Sequence, residues 1–503
     1  MLTTDCCKVL WNKLPEGVVA LFLIQIFSTF SFSVLYSTLV LYMTGALALT
    51  ASMANSTMGV FVAFNFALHL LGGYLGGRFF SYRALFCIGM IAQIIGCSLL
   101  ATVNPQLLYY GLAAFLTGSG LHVTCLNCML TQRFSPEDTR REGAFLYNYA
   151  GMNIGFFAGF TLSGYFQLLH NYRSLFLWAS IGNLIALLVS LCFWRSLKDM
   201  NTTYITMNKN KQTKSFVIGL LAIASISVVL SQFLFYANFS NQLILITGLG
   251  ILFVIYKLAM QQPTQDARDK IIAFAVLMVV GTVFWTLYQI GPMGMTQFIN
   301  HNVQRNWSGL TIPPQWFQNI NTICIVVGGP LFSFIFSRVR AKGGQINIPV
   351  QFSFSLFLIG MAFVLLPVGI LNADSNGLVA PEWIIASFVL QSAGELLISP
   401  IGYAMIGALA PTSLQGIMMG MWMFSTGVGA TLSSYSSNWM TMGQDSSNPL
   451  LTNGGYSQVF LYLGLTAIIA GFGLSLLSSI IKRWMTGGQV SNQPDVALKS
   501  VCL

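Results

Sequence analysis

Fourteen runs of about twenty mostly apolar residues follow one another along this chain, and about twenty such residues are what an α-helix needs to cross the hydrocarbon core of a bilayer. They lie near residues 17–45, 53–76, 84–102, 106–131, 143–168 and 174–194, then 215–236 and 243–260, then 271–292, 317–337, 350–371, 383–409, 414–437 and 456–481. The order is six, two and six. Only 7% of the residues are charged, whereas a water-facing surface takes roughly 25%. A hydrophobic share of 55% also removes the chain from the disordered class. The expectation is an all-α, polytopic membrane protein with 14 transmembrane helices.

The formal charge of +10, from 23 Lys and Arg against 13 Asp and Glu, does not point to nucleic acid, because the charges sit between apolar runs rather than on one basic face. With this span count, all but two of the 23 basic residues fall on one side of the membrane, and Arg173 and Arg305 alone fall on the other. Positive loops stay cytoplasmic. Both termini and the basic segment 195–214 are therefore expected in the cytoplasm, with the protein multi-pass in the cell membrane.

Twelve of the 13 acidic residues fit in loops, tails or span ends. Glu395 does not, because it lies in the middle of the run Ser387–Leu409. A carboxylate at membrane depth is expensive and marks function, and no Lys or Arg stands in any span core to pair with it. Cys125 and Cys128 form a lone CxxC without a second pair or a His/Cys cluster, so they read as small buried helix residues. No metal site and no cofactor is expected. An integral membrane enzyme is disfavoured, since no HExxH pair, GxSxG elbow or intramembrane Asp pair occurs. A channel is disfavoured for want of a filter-like loop or a charged ring.

Three segments resemble signatures of the proton-dependent oligopeptide transporter family of the major facilitator superfamily, most nearly its bacterial di- and tripeptide permeases. The first is Glu142-Gly143-Ala144-Phe145-Leu146-Tyr147-Asn148-Tyr149-Ala150-Gly151-Met152-Asn153-Ile154-Gly155. The second runs from Phe284-Trp285-Thr286-Leu287-Tyr288-Gln289 through Asn302-Val303 to Trp316-Phe317-Gln318-Asn319-Ile320-Asn321. The third is the Glu395 segment, continuing through Leu409-Ala410-Pro411 to Gly420-Met421-Trp422. The resemblance implies the major facilitator fold, with two six-helix bundles plus two extra helices. It divides the chain into a cytoplasmic tail (1–13), an N-terminal bundle (14–194), a cytoplasmic linker with two extra helices (195–265), a C-terminal bundle (266–485) and a second tail (486–503). It further implies a secondary active transporter of di- or tripeptides or peptide-like amines, working by alternating access, with protons as the family's coupling ion. A facilitator or exporter of a non-peptide amine is the alternative.

Matched position by position, the resemblance assigns Glu395 to the peptide's amino terminus. Trp285, Gln318, Asn321, Trp422 and Thr426 match pocket positions in the second bundle, and Tyr149 and Asn153 match polar contacts from the first. Ser399 shares a helix face with Glu395 through its spacing of four. Tyr36 is the one phenol left of the ionisable groups that the family carries in its first span. There the family's E-x-x-E-R motif falls on Gln25, Ser28 and Thr29, followed by Phe32 and Ser33, and its fourth-span lysine falls on Val123 beside His122. In the first span of the second bundle, Tyr288-Gln289 occupies the position that is acidic in many members. These losses remove the cation for the peptide carboxylate together with the acids that would need it as partner. Coupling by the usual route is therefore expected to be weak, with Glu395 and His122 as the remaining proton-carrying candidates.

Overall fold

The computed structural model describes residues 14–135, 138, 140–200, 202–307, 309–341, 347–411, 414–441 and 447–486. The two expected tails lie almost wholly outside these residues. Within them run fourteen long helices, here α1 to α14. The first six are α1 (Val18–Leu41), α2 (Ala51–Leu75), α3 (Tyr82–Leu100), α4 (Pro105–Thr131), α5 (Arg140–Leu168) and α6 (Tyr172–Cys192). Next come α7 (Lys209–Phe235) and α8 (Ala237–Met260). The last six are α9 (Gln265–Tyr288), α10 (Pro314–Ala341), α11 (Ile348–Leu371), α12 (Pro381–Leu409), α13 (Gln415–Met440) and α14 (Pro449–Thr486). The order of six, two and six stands.

Local sequence explains where several helices begin. Ser81 accepts from the Ala84 amide, Asn104 from the Gln106 amide with Pro105 following, and Asn171 from the Ser174 amide. Each side chain satisfies an amide that the first turn leaves without a partner. Twelve spans are long and apolar enough to cross a membrane by length and composition, and α5 and α13 are the two long helices outside that set. Both carry polar residues where a lipid-facing helix would carry aliphatic ones. On α13 the hydroxyls turn back to their own backbone: Ser433 bonds the Gly429 carbonyl at 2.8 Å, Ser434 that of Thr431 at 2.8 Å and Ser436 that of Leu432 at 2.9 Å.

The two halves repeat one packing scheme. In the first, α1 packs on α5 and α6, and α3 on α4 and α6. In the second, α9 packs on α13 and α14, and α11 on α12 and α14. The leading helix of each half also loosens into a π-turn at the same end, Tyr42–Ala46 after α1 and Gly291–Met295 after α9. Close approach depends on glycine. A Cβ at Gly118 would stand 2.2 Å from the Gly89 carbonyl oxygen on α3, and one at Gly155 would stand 2.5 Å from that of Ile26 on α1.

By packing, the described residues divide into two units, 14–48 with 64–236 and 49–63 with 237–486. Helix α7 belongs to the first unit through α4, while α8 belongs to the second through α9 and α13. The linker is also partly folded: Leu197 and Asp199 are buried, and Asp199 Oδ2 accepts from the Tyr82 amide at 2.8 Å. Arg133 Nη2 reaches the Lys198 carbonyl at 2.7 Å, and Arg83 donates to that of Trp194.

Candidate functional site

In the second half, α12 brings Glu395 to mid-helix, and the preceding glycine lets the helix come close to its neighbours. A Cβ at Gly394 would lie 3.1 Å from the Ser355 carbonyl oxygen and 3.2 Å from the Phe284 ring. Asn321 on α10 then reaches across, its Nδ2 donating to Glu395 Oε2 at 2.8 Å and to Ser392 Oγ at 3.0 Å. Both amide hydrogens are committed, which fixes the orientation of the group. The Tyr288 hydroxyl is the carboxylate's other polar neighbour. Glu395 itself is half-buried. Among the described residues the ion pairs are Arg140–Asp138 and Arg268–Asp269, so the carboxylate is held by neutral donors alone.

An aromatic group stands beside it. The Trp285 and Tyr288 ring centroids are 5.4 Å apart and near perpendicular, and Phe284 stacks on Tyr288 at 6.1 Å. Trp285 is half-buried, and its Nε1 hydrogen has no partner among the described residues. A buried donor without an acceptor is expensive and is available to a ligand. Carboxylate, aromatic faces and a spare N–H together suit an ammonium group next to a polar backbone.

Of the residues singled out from the sequence, Asn321 meets Glu395 directly, Trp285 stands beside Tyr288, and Ser399 lies half-buried one turn from Glu395. Gln318 is buried and donates to Thr296 Oγ1 at 3.2 Å, so it steadies the segment beyond the π-turn of α9. Thr426 is buried as well, at 4% exposure. Trp422 is 2% exposed, with its ring packed among Gly281, Gly402 and Phe352. Tyr288 is the residue that sequence reasoning passed over; it was noted only as a substitute for an acid, not as a partner of Glu395.

In the first half, the positions of the missing charged motif form a buried neutral network. Gln25 Nε2 donates to Thr29 Oγ1 at 2.7 Å, and Asn148 Nδ2 on α5 donates to Gln25 Oε1 at 3.2 Å. The Ser28 hydroxyl returns to the Gln25 carbonyl at 3.3 Å. Asn148 was quoted in the motif but not singled out. One residue on, Tyr149 is exposed at 45%, while Asn153 is buried and donates to the Tyr149 carbonyl at 2.9 Å. Tyr36 is half-buried and stacks on Phe32 at 5.8 Å. His122 is buried on α4, with Nδ1 at 3.1 Å from Gln93 Nε2, while neither nitrogen of half-buried His69 on α2 has a hydrogen-bond partner among the described residues.

Two halves with one pairing scheme, and a mid-membrane carboxylate without a cation, define a membrane transporter of the major facilitator fold. The POT family model matches residues 32–459, and the chain belongs to that family. Curated relatives include dipeptide and tripeptide permease A of Salmonella typhimurium, 27% identical over 464 residues and 91% of each chain. The protein of the same name from Cronobacter turicensis is 27% identical over 490 residues and 96% of each. A crystal structure of peptide transporter POT in complex with sulfate matches with a TM-score of 0.81 at 22% identity, over 95% of this chain and 99% of that one. A mutant of peptide transporter POT in complex with alafosfalin matches with a TM-score of 0.82 at 24% identity, over 94% and 96%. These structural likenesses establish the fold.

Proposed function

We propose that the chain is a secondary transporter of di- and tripeptides and of peptide-like amines, in which Glu395 receives the substrate's amino group and no fixed cation holds its carboxylate. The observation that carries this reading is the hydrogen bond from Asn321 to Glu395, an anion held by a neutral donor. A buried charge without a counter-charge is unfavourable, and an arriving ammonium supplies one. The relatives' names support peptides as the substrate class, since those proteins align over 91–96% of this chain. The neutral network of Gln25, Thr29 and Asn148 supports the other half of the reading, because it puts no positive charge at the positions of the family's first-span motif.

Coupling to protons is weak or absent on this account, and any that exists runs through Glu395 or His122. Both termini and the 195–214 linker lie in the cytoplasm, as the distribution of the basic residues requires. The test is binding to a Glu395→Gln variant, measured with a dipeptide on purified protein. Loss of most binding with an unchanged unfolding temperature is expected. Unchanged affinity assigns Glu395 to structure.

A further inference from the structure

Helix α8 leaves a cavity of about 550 Å³ against α9, α13 and α14, entirely within the second unit and separate from the Glu395 group. Along α13 it is lined from Met421 to Trp439, 18 residues and so about 27 Å at the rise of an α-helix. That is most of the roughly 30 Å hydrocarbon core. On α8 it is lined by the middle of the helix, Leu245 to Leu252.

Five serine and threonine residues line this cavity, and none of their hydroxyl protons is free. Thr282, Thr286, Ser425, Ser436 and Thr466 donate to the carbonyls of Met278, Thr282, Trp422, Leu432 and Tyr462 at 2.6–2.9 Å. Every donation stays on its own helix. The remaining walls are almost wholly aliphatic or aromatic, so a water or a peptide entering would give up hydrogen bonds and gain few. Polar tips occur at one end only, on Tyr435 and on Trp439, which is 62% exposed. The distribution of basic residues puts that end at the outer face. Aromatic residues with a polar tip collect at the headgroup level of a bilayer.

The cavity is continuous with the most exposed apolar surface of α8, where Leu249 is 68% exposed and Ile246 65%. Its neighbour in a membrane is hydrocarbon. We propose that this cavity is a binding slot for one acyl chain of a membrane phospholipid, with the headgroup beside Tyr435 and Trp439. The acyl chain fills the space between α8 and the wall of α9 and α13, so α8 is joined to the second bundle partly through lipid. Thr282 and Thr286 face this slot, while Trp285 and Tyr288 on the same helix belong to the Glu395 group. The lipid therefore backs the helix that carries the substrate site. This inference does not depend on which substrate is carried.

The test is photolabelling in proteoliposomes with a phosphatidylethanolamine bearing a diazirine on one acyl chain, read by peptide mapping. Labelling of α8 and α13 at the slot is expected at least fivefold above labelling at Ile469 and Leu476, which are equally exposed on α14. Val428→Trp, which fills the slot from α13, is expected to remove that excess, and Leu249→Trp does so from α8 should the first variant not fold. Equal labelling of slot and surface overturns the proposal in favour of ordinary annular lipid. An excess that both folded variants leave intact overturns it as well.

Discussion

Asn321 and Glu395 stand on different helices, 74 residues apart in sequence, yet one amide hydrogen joins them at 2.8 Å while the other bonds Ser392. A hydrogen bond to a charged group contributes about 1.5–3 kcal/mol, more than a neutral pair. Asn321→Ala is therefore expected to weaken dipeptide binding by roughly 10- to 100-fold. Calorimetry on the purified variant checks this. An unchanged affinity would mean that the orientation of Glu395 is set elsewhere.

Tyr288→Phe tests the carboxylate's other polar neighbour, because the ring and its contact with Trp285 remain while the hydroxyl goes. Binding is expected to fall less than in Asn321→Ala, and the double variant to lose less than the sum, since both act on one carboxylate. A strictly additive double variant contradicts a shared role.

Trp422 separates packing from recognition. Its ring fills space between Gly281, Gly402 and Phe352, so Trp422→Ala is expected to lower stability by about 3–5 kcal/mol, as loss of a buried large aromatic does. Trp422→Phe is expected to keep dipeptide affinity within about twofold, a difference under 0.5 kcal/mol. Thermal unfolding and binding on both variants decide it. A stable protein that no longer binds would return Trp422 to the pocket wall.

Asp199 gives a pH signature away from the membrane. Its burial raises the carboxyl pKa above the ordinary value, against the opposing pull of the Tyr82 and Arg83 amides and of the Arg83 and Arg133 charges. The folded state then holds the proton to higher pH than the unfolded chain, so this group's contribution to stability falls as pH rises from the unfolded pKa through the folded one. Asp199→Asn is expected to unfold at a temperature closer to wild type at low pH, and to gain relative to it as pH rises through that window. A relative gain in the opposite direction contradicts the assignment.

Much of this was legible in the sequence, and the misses have physical causes. Glu395 stood out because one carboxylate in an apolar run has no inexpensive explanation, and Asn321 followed from its motif. Tyr288 did not stand out, because a phenol reads equally well as packing until its neighbour across the helices is known. The close packing around Trp422 did not stand out for the same reason, since the glycines beside it lie on two other helices. The division of α7 from α8 was hidden because lipid-facing helices are apolar on every side and carry no stripe that names their packing partner. The network of Gln25, Thr29 and Asn148 was half visible: the loss of charge could be read, but not the hydrogen bonds that replaced it.

The central claim is that an amine is gripped by Glu395 while the substrate carboxylate meets no cation and protons do little of the driving. Uptake into proteoliposomes of an unmodified dipeptide and of its amidated analogue, with and without an imposed inward proton gradient, tests it most directly. The account predicts comparable uptake of both, a small effect of the gradient, and any residual pH-dependent part removed by His122→Ala if His122 carries it, or retained if Glu395 does. Strong gradient-driven accumulation of the unmodified dipeptide over its amidated analogue would contradict it, because that result requires both a cationic carboxylate site and proton coupling.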